Sequence, residues 1–243
     1  MTRDLPMNVF RSRDGTGIAF DRLGGSLPIV LVGGPFGYRT FPELRQLAEY
    51  LAARFTVVNY DRRGRGDSGD TAPYAVEREI EDLEAVIDAV GGAARVGGWS
   101  SGGLLALRAA AAGVRIERLA VYDPPFIVDG SGHPVPADLA AQMYELTSAG
   151  RRSAAVRLFM TKAMGVPPLV VGFMRCSPSW SRFREAARAI ADVLPDARHR
   201  VLARQSRNVS MPVLAPVLEE FFGRPAQARR LPSSSAWAAT PAA

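Results

Sequence analysis

The chain has 243 residues, enough to bury one sizeable core and too few for several large domains. With 47% hydrophobic and 22% charged residues it has the composition of a soluble globular protein, and a single cysteine, Cys176, excludes an internal disulfide framework or a cysteine-based metal cluster. The net charge is +6, carried almost wholly by arginine, yet the arginines form no block of five or six, which argues against nucleic-acid binding.

Residues 1–11 contain no signal-peptide apolar region, and the longest apolar runs are broken by Arg108, glycine and proline. No membrane span is therefore expected, and the cytoplasm is the expected location. Residues 8–11 and 17–21 flank Asp14-Gly15 and predict a β-hairpin. Residues 28–32 form an unbroken aliphatic run ending in Gly33-Gly34-Pro35, as a buried strand does on leaving its sheet. Leu44, Leu47, Leu51 and Ala52 recur at helical spacing over 42–53. A second continuous strand, 55–60, leads into Asp61-Arg62-Arg63-Gly64-Arg65-Gly66-Asp67-Ser68-Gly69. A helix over 76–90 lines up Ile80, Leu83, Val86, Ile87 and Val90 on one face. A short strand, 93–97, then runs into Gly98-Trp99-Ser100-Ser101-Gly102, followed by a helix-forming run, 104–112, and a strand, 118–122. Strands that are apolar throughout and alternate with helices indicate a parallel sheet covered on both faces.

Gly-x-Ser-x-Gly between a strand and a helix is the pattern of a nucleophile elbow, whose turn is so sharp that the residues two before and two after the serine must be small. Gly98 and Gly102 meet that demand around Ser100, whereas taking Ser101 as the nucleophile would put Trp99 in a crowded position. The strand ending in Gly-Gly, the Tyr-Asp-Arg-Arg-Gly-Arg-Gly-Asp-Ser-Gly loop, and the elbow, in that order over 8–126, resemble the α/β-hydrolase superfamily. The resemblance implies an α/β-hydrolase fold: a mostly parallel sheet, helices on both faces and a small helical lid. It implies one domain over 1–222 with the lid inserted at about 127–175 (helical over 136–165), and 223–243 reads as a disordered tail. A closing helix over 180–194, a last strand over 198–203 and a C-terminal helix over 213–222 complete the expected pattern. Only 168–171 offers a seventh strand, so the sheet is expected to be complete or one strand short.

The resemblance further implies serine-hydrolase chemistry without cofactor or metal, on an ester or related acyl bond of a small apolar molecule. Ser100 is then the nucleophile, which needs a base and two N–H donors for the tetrahedral oxyanion. One donor is Ser101, where the first helical amides are unpaired. The other comes from the Gly33-Gly34-Pro35 loop, in one of two registers. One gives Gly34; the other gives Pro35, which has no N–H.

The remaining partners are deficient. No Asp or Glu occurs over 146–184, where the family places its acid, which leaves Asp123 as an acid from a neighbouring strand or as a turn residue before Pro124-Pro125. Arg207 fills the slot where the family carries histidine, and a guanidinium cannot act as a base. Of the two histidines, His199 sits in the expected last strand, roughly 13 Å from the elbow's edge of the sheet. His133 leaves the sixth strand on the elbow's edge and is the candidate base, or a solvated loop histidine. Activity is therefore in question, and the alternative is a catalytically degenerate member that binds a small molecule or a protein partner.

Two further features are expected to be scaffold. The charges of 61–67 are expected to pair with one another, and Arg151, Arg152, Arg157, Lys162, Arg175, Arg182 and Arg184 to form a solvated basic face or, alternatively, to attract an anionic substrate or partner. Met143, Met160, Met164, Met174, Phe159, Phe173 and Trp180 either line an apolar pocket or form the lid's own core.

Overall fold

A computed structural model describes residues 8–125, 135–163, 165, 190–192, 194, 196–202 and 209–224. Its centre is a six-stranded sheet built from β1 (Asn8–Arg11), β2 (Gly17–Leu23), β3 (Pro28–Val32), β4 (Thr56–Tyr60), β5 (Ala94–Trp99) and β6 (Ile116–Tyr122). Their spatial order is β1-β2-β4-β3-β5-β6. The first hairpin is antiparallel and β2 pairs antiparallel with β4, whereas β4, β3, β5 and β6 run parallel. After β3 the chain moves to one side to make β4 and then returns to the other side to make β5. The order therefore reverses between β3 and β5, and it is beyond the C-terminal ends of such a pair that open α/β sheets bind their ligands.

Alternation along the strands divides the core into two layers. Val30, Val32, Val58 and Val96 face α2 (Val76–Ala89) and α3 (Ser101–Ala111), packing with Leu83, Val86, Ile87, Leu105 and Ala109. Ile29, Leu31 and Val57 face the opposite way, toward α1 (Pro42–Leu51) and the C-terminal helix over Met211–Gly223. Arg95 at the foot of β5 donates from Nε to the Phe222 carbonyl (2.7 Å), which ties the end of that last helix to the elbow's own strand.

The chain separates into two compact units, 1–125 with 202–243 and 126–201. Described by itself, the second unit contains α4 (Leu139–Ser148), α5 (Arg152–Leu158) and a π-helical turn, Phe159–Ala163. The C-terminal helix, Met211–Gly223, is α6. Of the stretch expected to be helical, 136–165, residues 139–148, 152–158 and 159–163 are helical, and Met160 is buried. Met164, Phe173, Met174 and Trp180 lie outside the described residues, as do the seventh-strand candidate 168–171 and all of 225–243. The closing helix expected over 180–194 is described as helix only at 190–192. The last strand expected over 198–203 is not formed at 198–202. A strand needs a neighbour to carry its ladder, and among the described residues the sheet ends at β6. No helix among the described residues is long and apolar enough to cross a membrane.

Candidate active site

Ser100 stands between β5 and α3 with φ 52° and ψ −122°, a conformation that a residue with a side chain adopts only under constraint. Two hydrogen bonds and the close packing of the turn supply the constraint. Its N–H donates to the Tyr122 carbonyl (2.9 Å), and its own carbonyl accepts from the Gly103 N–H (2.9 Å). The turn is also too tight for side chains: a methyl on Gly98 would lie 2.5 Å from the Gly103 Cα, and one on Gly102 would lie 2.3 Å from the Val32 carbonyl oxygen. The glycine spacing in the sequence thus reflects backbone packed directly against backbone.

The loop after β3 meets this turn. A methyl built on Gly34 would lie 3.5 Å from the Ser100 Cβ and 3.5 Å from the Trp99 carbonyl oxygen, so Gly34 lies against the serine. The Gly37 N–H donates to the Gly34 carbonyl (3.1 Å) and closes the loop into a tight turn. Ser101 is the first residue of α3, so its N–H belongs to the set that has no intrahelical acceptor. Ser100, the first residue of α3 and Gly34 therefore lie together at the C-terminal ends of β3 and β5.

Behind them lies a buried layer of charge. Arg62, 6% exposed, forms a fork on Glu79, with NH2 donating to Oε1 at 2.8 Å and Nε to Oε2. Its remaining nitrogen, NH1, donates to the Gly33 carbonyl (3.2 Å) and to the Ser101 Oγ (3.1 Å). Arg65 Nε donates to the Pro35 carbonyl (3.1 Å). Arg63 forks onto Asp82 at 2.7 and 2.8 Å and reaches Asp14 at 2.8 Å. The 61–67 loop was expected to satisfy its own charges. Arg62 and Arg63 instead pair with Glu79 and Asp82 of α2, which are buried and need cations to enter with them, and Arg63 also with the half-buried Asp14 of the first hairpin. Asp61 accepts from the Asp67 N–H (2.9 Å) within the loop, but its charge pairs with Arg39 (3.4 Å), as does that of Asp67.

The protonation states agree with this pairing. Burial works against the Glu79 carboxylate, yet the hydrogen bonds and charge of Arg62 outweigh it and hold its pKa below the usual carboxylate range. Burial likewise opposes the Arg62 charge, and Glu79 reverses the balance, so the guanidinium is held above its ordinary value. Hydrogen bonds from Arg63 and Thr16 hold Asp14 well below the carboxylate range.

Asp123 directly follows the strand whose last carbonyl receives the Ser100 N–H, and its φ of 53° turns the chain out of β6. His133 and Arg207 lie outside the described residues. His199 is half-buried and not in a strand, which removes the geometry expected for it. Among the described residues no group of three side chains could hold a metal ion. An open groove in the second unit, lined by Leu146, Arg151, Arg152, Arg157 and Thr161 among others, carries basic side chains but neither carboxylate nor histidine.

An elbow at the switch point of this strand order defines the α/β-hydrolase class, and the chain belongs to the alpha/beta hydrolase family, whose model matches residues 29–243. It is similar to the crystal structure of an alpha/beta hydrolase from Sphaerobacter thermophilus, at 44% identity and a TM-score of 0.81, covering 88% of this chain and 100% of that one. A curated relative provisionally named as the carbamate hydrolase RutD, from Azorhizobium caulinodans, is 36% identical over 110 residues. That match covers 44% of this chain and only 41% of the relative. The fold also resembles the bottromycin epimerase BotH, solved with bottromycin A2, at 27% identity and a TM-score of 0.51, over 72% of this chain and 67% of that one.

Proposed function

We propose that the chain is a serine hydrolase that cleaves an ester or related acyl bond of a small apolar substrate, without cofactor or metal. The observation that carries this reading is the constrained backbone of Ser100 with Gly34 lying against it. Ser100 Oγ attacks the acyl carbon, and its proton passes to the base, assigned to His133. The carbonyl electron pair moves onto oxygen, which is held by the N–H groups of Ser101 and Gly34. Collapse expels the alcohol, which takes the proton from the base. Water then repeats the sequence on the acyl-enzyme and releases the acid. Asp123 is assigned to support the base from the end of β6.

The test is labelling of Ser100 by a fluorophosphonate probe, together with turnover of short-chain nitrophenyl esters. Labelling and turnover that both vanish in Ser100→Ala support the reading. Failure to label Ser100, while a control hydrolase is labelled, overturns it.

A second reading is favoured by Arg207 in the histidine slot and by the acid-free stretch 146–184. Under it the elbow and its donors form a binding site for a small molecule or partner in a protein that no longer hydrolyses. The likeness to an epimerase of the same fold supports treating fold and hydrolysis as separable. Turnover dependent on Ser100 rejects this alternative.

A further inference from the structure

The buried Arg62 side chain touches both halves of the pocket from behind, and nothing in the hydrolytic scheme uses it. Its NH1 group donates to the Gly33 carbonyl (3.2 Å) and to the Ser101 hydroxyl (3.1 Å). The Gly33 carbonyl and the Gly34 N–H belong to one peptide group, which is planar and trans, so the two point in opposite directions. A guanidinium that grips the carbonyl therefore fixes the direction of the N–H on the far side. The grip is needed because a peptide between two glycines has little intrinsic resistance to rotation. It also polarises the group, since hydrogen bonds in a chain strengthen one another, and here the first donor carries a full charge.

We infer that Arg62 is a positioning residue for the oxyanion pocket: through one nitrogen it aims the Gly34 N–H and anchors the helix start that supplies the Ser101 N–H. Glu79 holds the guanidinium by its other edge, so the pocket is set by a pair reaching from α2 to the elbow. Tyr74, whose hydroxyl donates to Glu79 Oε1 at 2.9 Å, completes the support. The catalytic part of this inference rests on Ser100 being the nucleophile; the alignment of the Gly34 amide does not.

The experiment uses the full chain. Arg62→Ala alone would strand the buried Glu79 carboxylate, so the variants are Arg62→Lys, which keeps the charge without the fork, and the double variant Arg62→Met with Glu79→Met. For each, the Gly34 and Ser101 amide resonances are followed in ¹⁵N-labelled protein, and kcat and KM are measured with p-nitrophenyl acetate. Outright loss of an oxyanion donor costs about 10²–10³ in kcat, so misaiming one is expected to cost about 10- to 100-fold. KM should stay within about twofold, since the effect arises in the transition state. Arg62→Lys should fall between wild type and the double variant, and the Gly34 amide should move upfield in both. Folded variants with unchanged kcat and an unmoved Gly34 amide overturn the inference. If wild type shows no turnover that depends on Ser100, the hydrolase reading fails and the Gly34 amide alone decides the role of Arg62.

Discussion

Arginines occupy two different settings in this chain. In the sheet-bearing unit Arg62, Arg63 and Arg95 are buried, and each sends its donors to named acceptors: Glu79, Asp82, Asp14, Glu117 and main-chain carbonyls. In the second unit Arg151, Arg152 and Arg157 are exposed on helices that bury only Leu139 and Ala155. The residue type is the same, but what it does depends on whether an acid enters the interior with it. A buried guanidinium without a carboxylate is costly, and a paired one becomes a fixed strut with donors to spare. Of the three buried arginines, Arg62 sends its spare donors to the loops that form the candidate site.

The largest effect expected is on chemistry. Ser100→Ala should remove fluorophosphonate labelling and all serine-dependent ester turnover, a loss on the order of 10⁶-fold wherever a serine and its base work together. The melting temperature should stay about the same, because alanine keeps the Cβ and with it the strain at φ 52°. The contrast between buried and exposed arginines is tested next. Arg63→Met should cost about 3–5 kcal/mol in urea unfolding, because Asp82 is left buried without its partner. The matched change in the second unit, Arg152→Ala, should leave the unfolding midpoint unmoved. Equal effects at the two positions would break the contrast.

A smaller, pH-dependent effect sharpens it. Asp14 and Glu79 have lowered folded-state pKa values, so the stability they contribute is complete above about pH 4, the ordinary carboxylate value. It is lost as the pH falls through the lowered values. Asp14→Asn should therefore flatten the dependence of melting temperature on pH below 4 while costing about 1 kcal/mol at neutral pH. The smallest effect is expected at Tyr60, whose buried hydroxyl has no hydrogen-bond partner among the described residues. Tyr60→Phe should change stability by no more than about 0.5 kcal/mol, and in the favourable direction, as read by urea unfolding.

Much of the first unit was legible in the sequence because its signals are local. The aliphatic runs at 28–32 and 55–60, the periodicity of 76–90 and the glycines around Ser100 each satisfy a nearby geometric demand, and β3, β4, α2 and the elbow formed where expected. The strand expected at 198–203 is not formed at 198–202, since pairing is a property of two segments and cannot be read from one of them. The role of Arg62 was missed because its partners lie 17, 29 and 39 residues away. One signal was available. Glu79 and Asp82 share a helical face with Leu83 and Val86, and two acids on a buried face call for cations from another element.

The sequence by itself determined the family, the elbow serine and the order of strands and helices around it, because hydrophobic period and glycine spacing act over a few residues. Only the tertiary structure decided that Gly34 lies against Ser100 and that Arg62 grips the Gly33 peptide and the Ser101 hydroxyl together. Those contacts exist because β3 and β5 become neighbours at the point where the strand order reverses, and a buried cation can be satisfied only by what the fold brings to it.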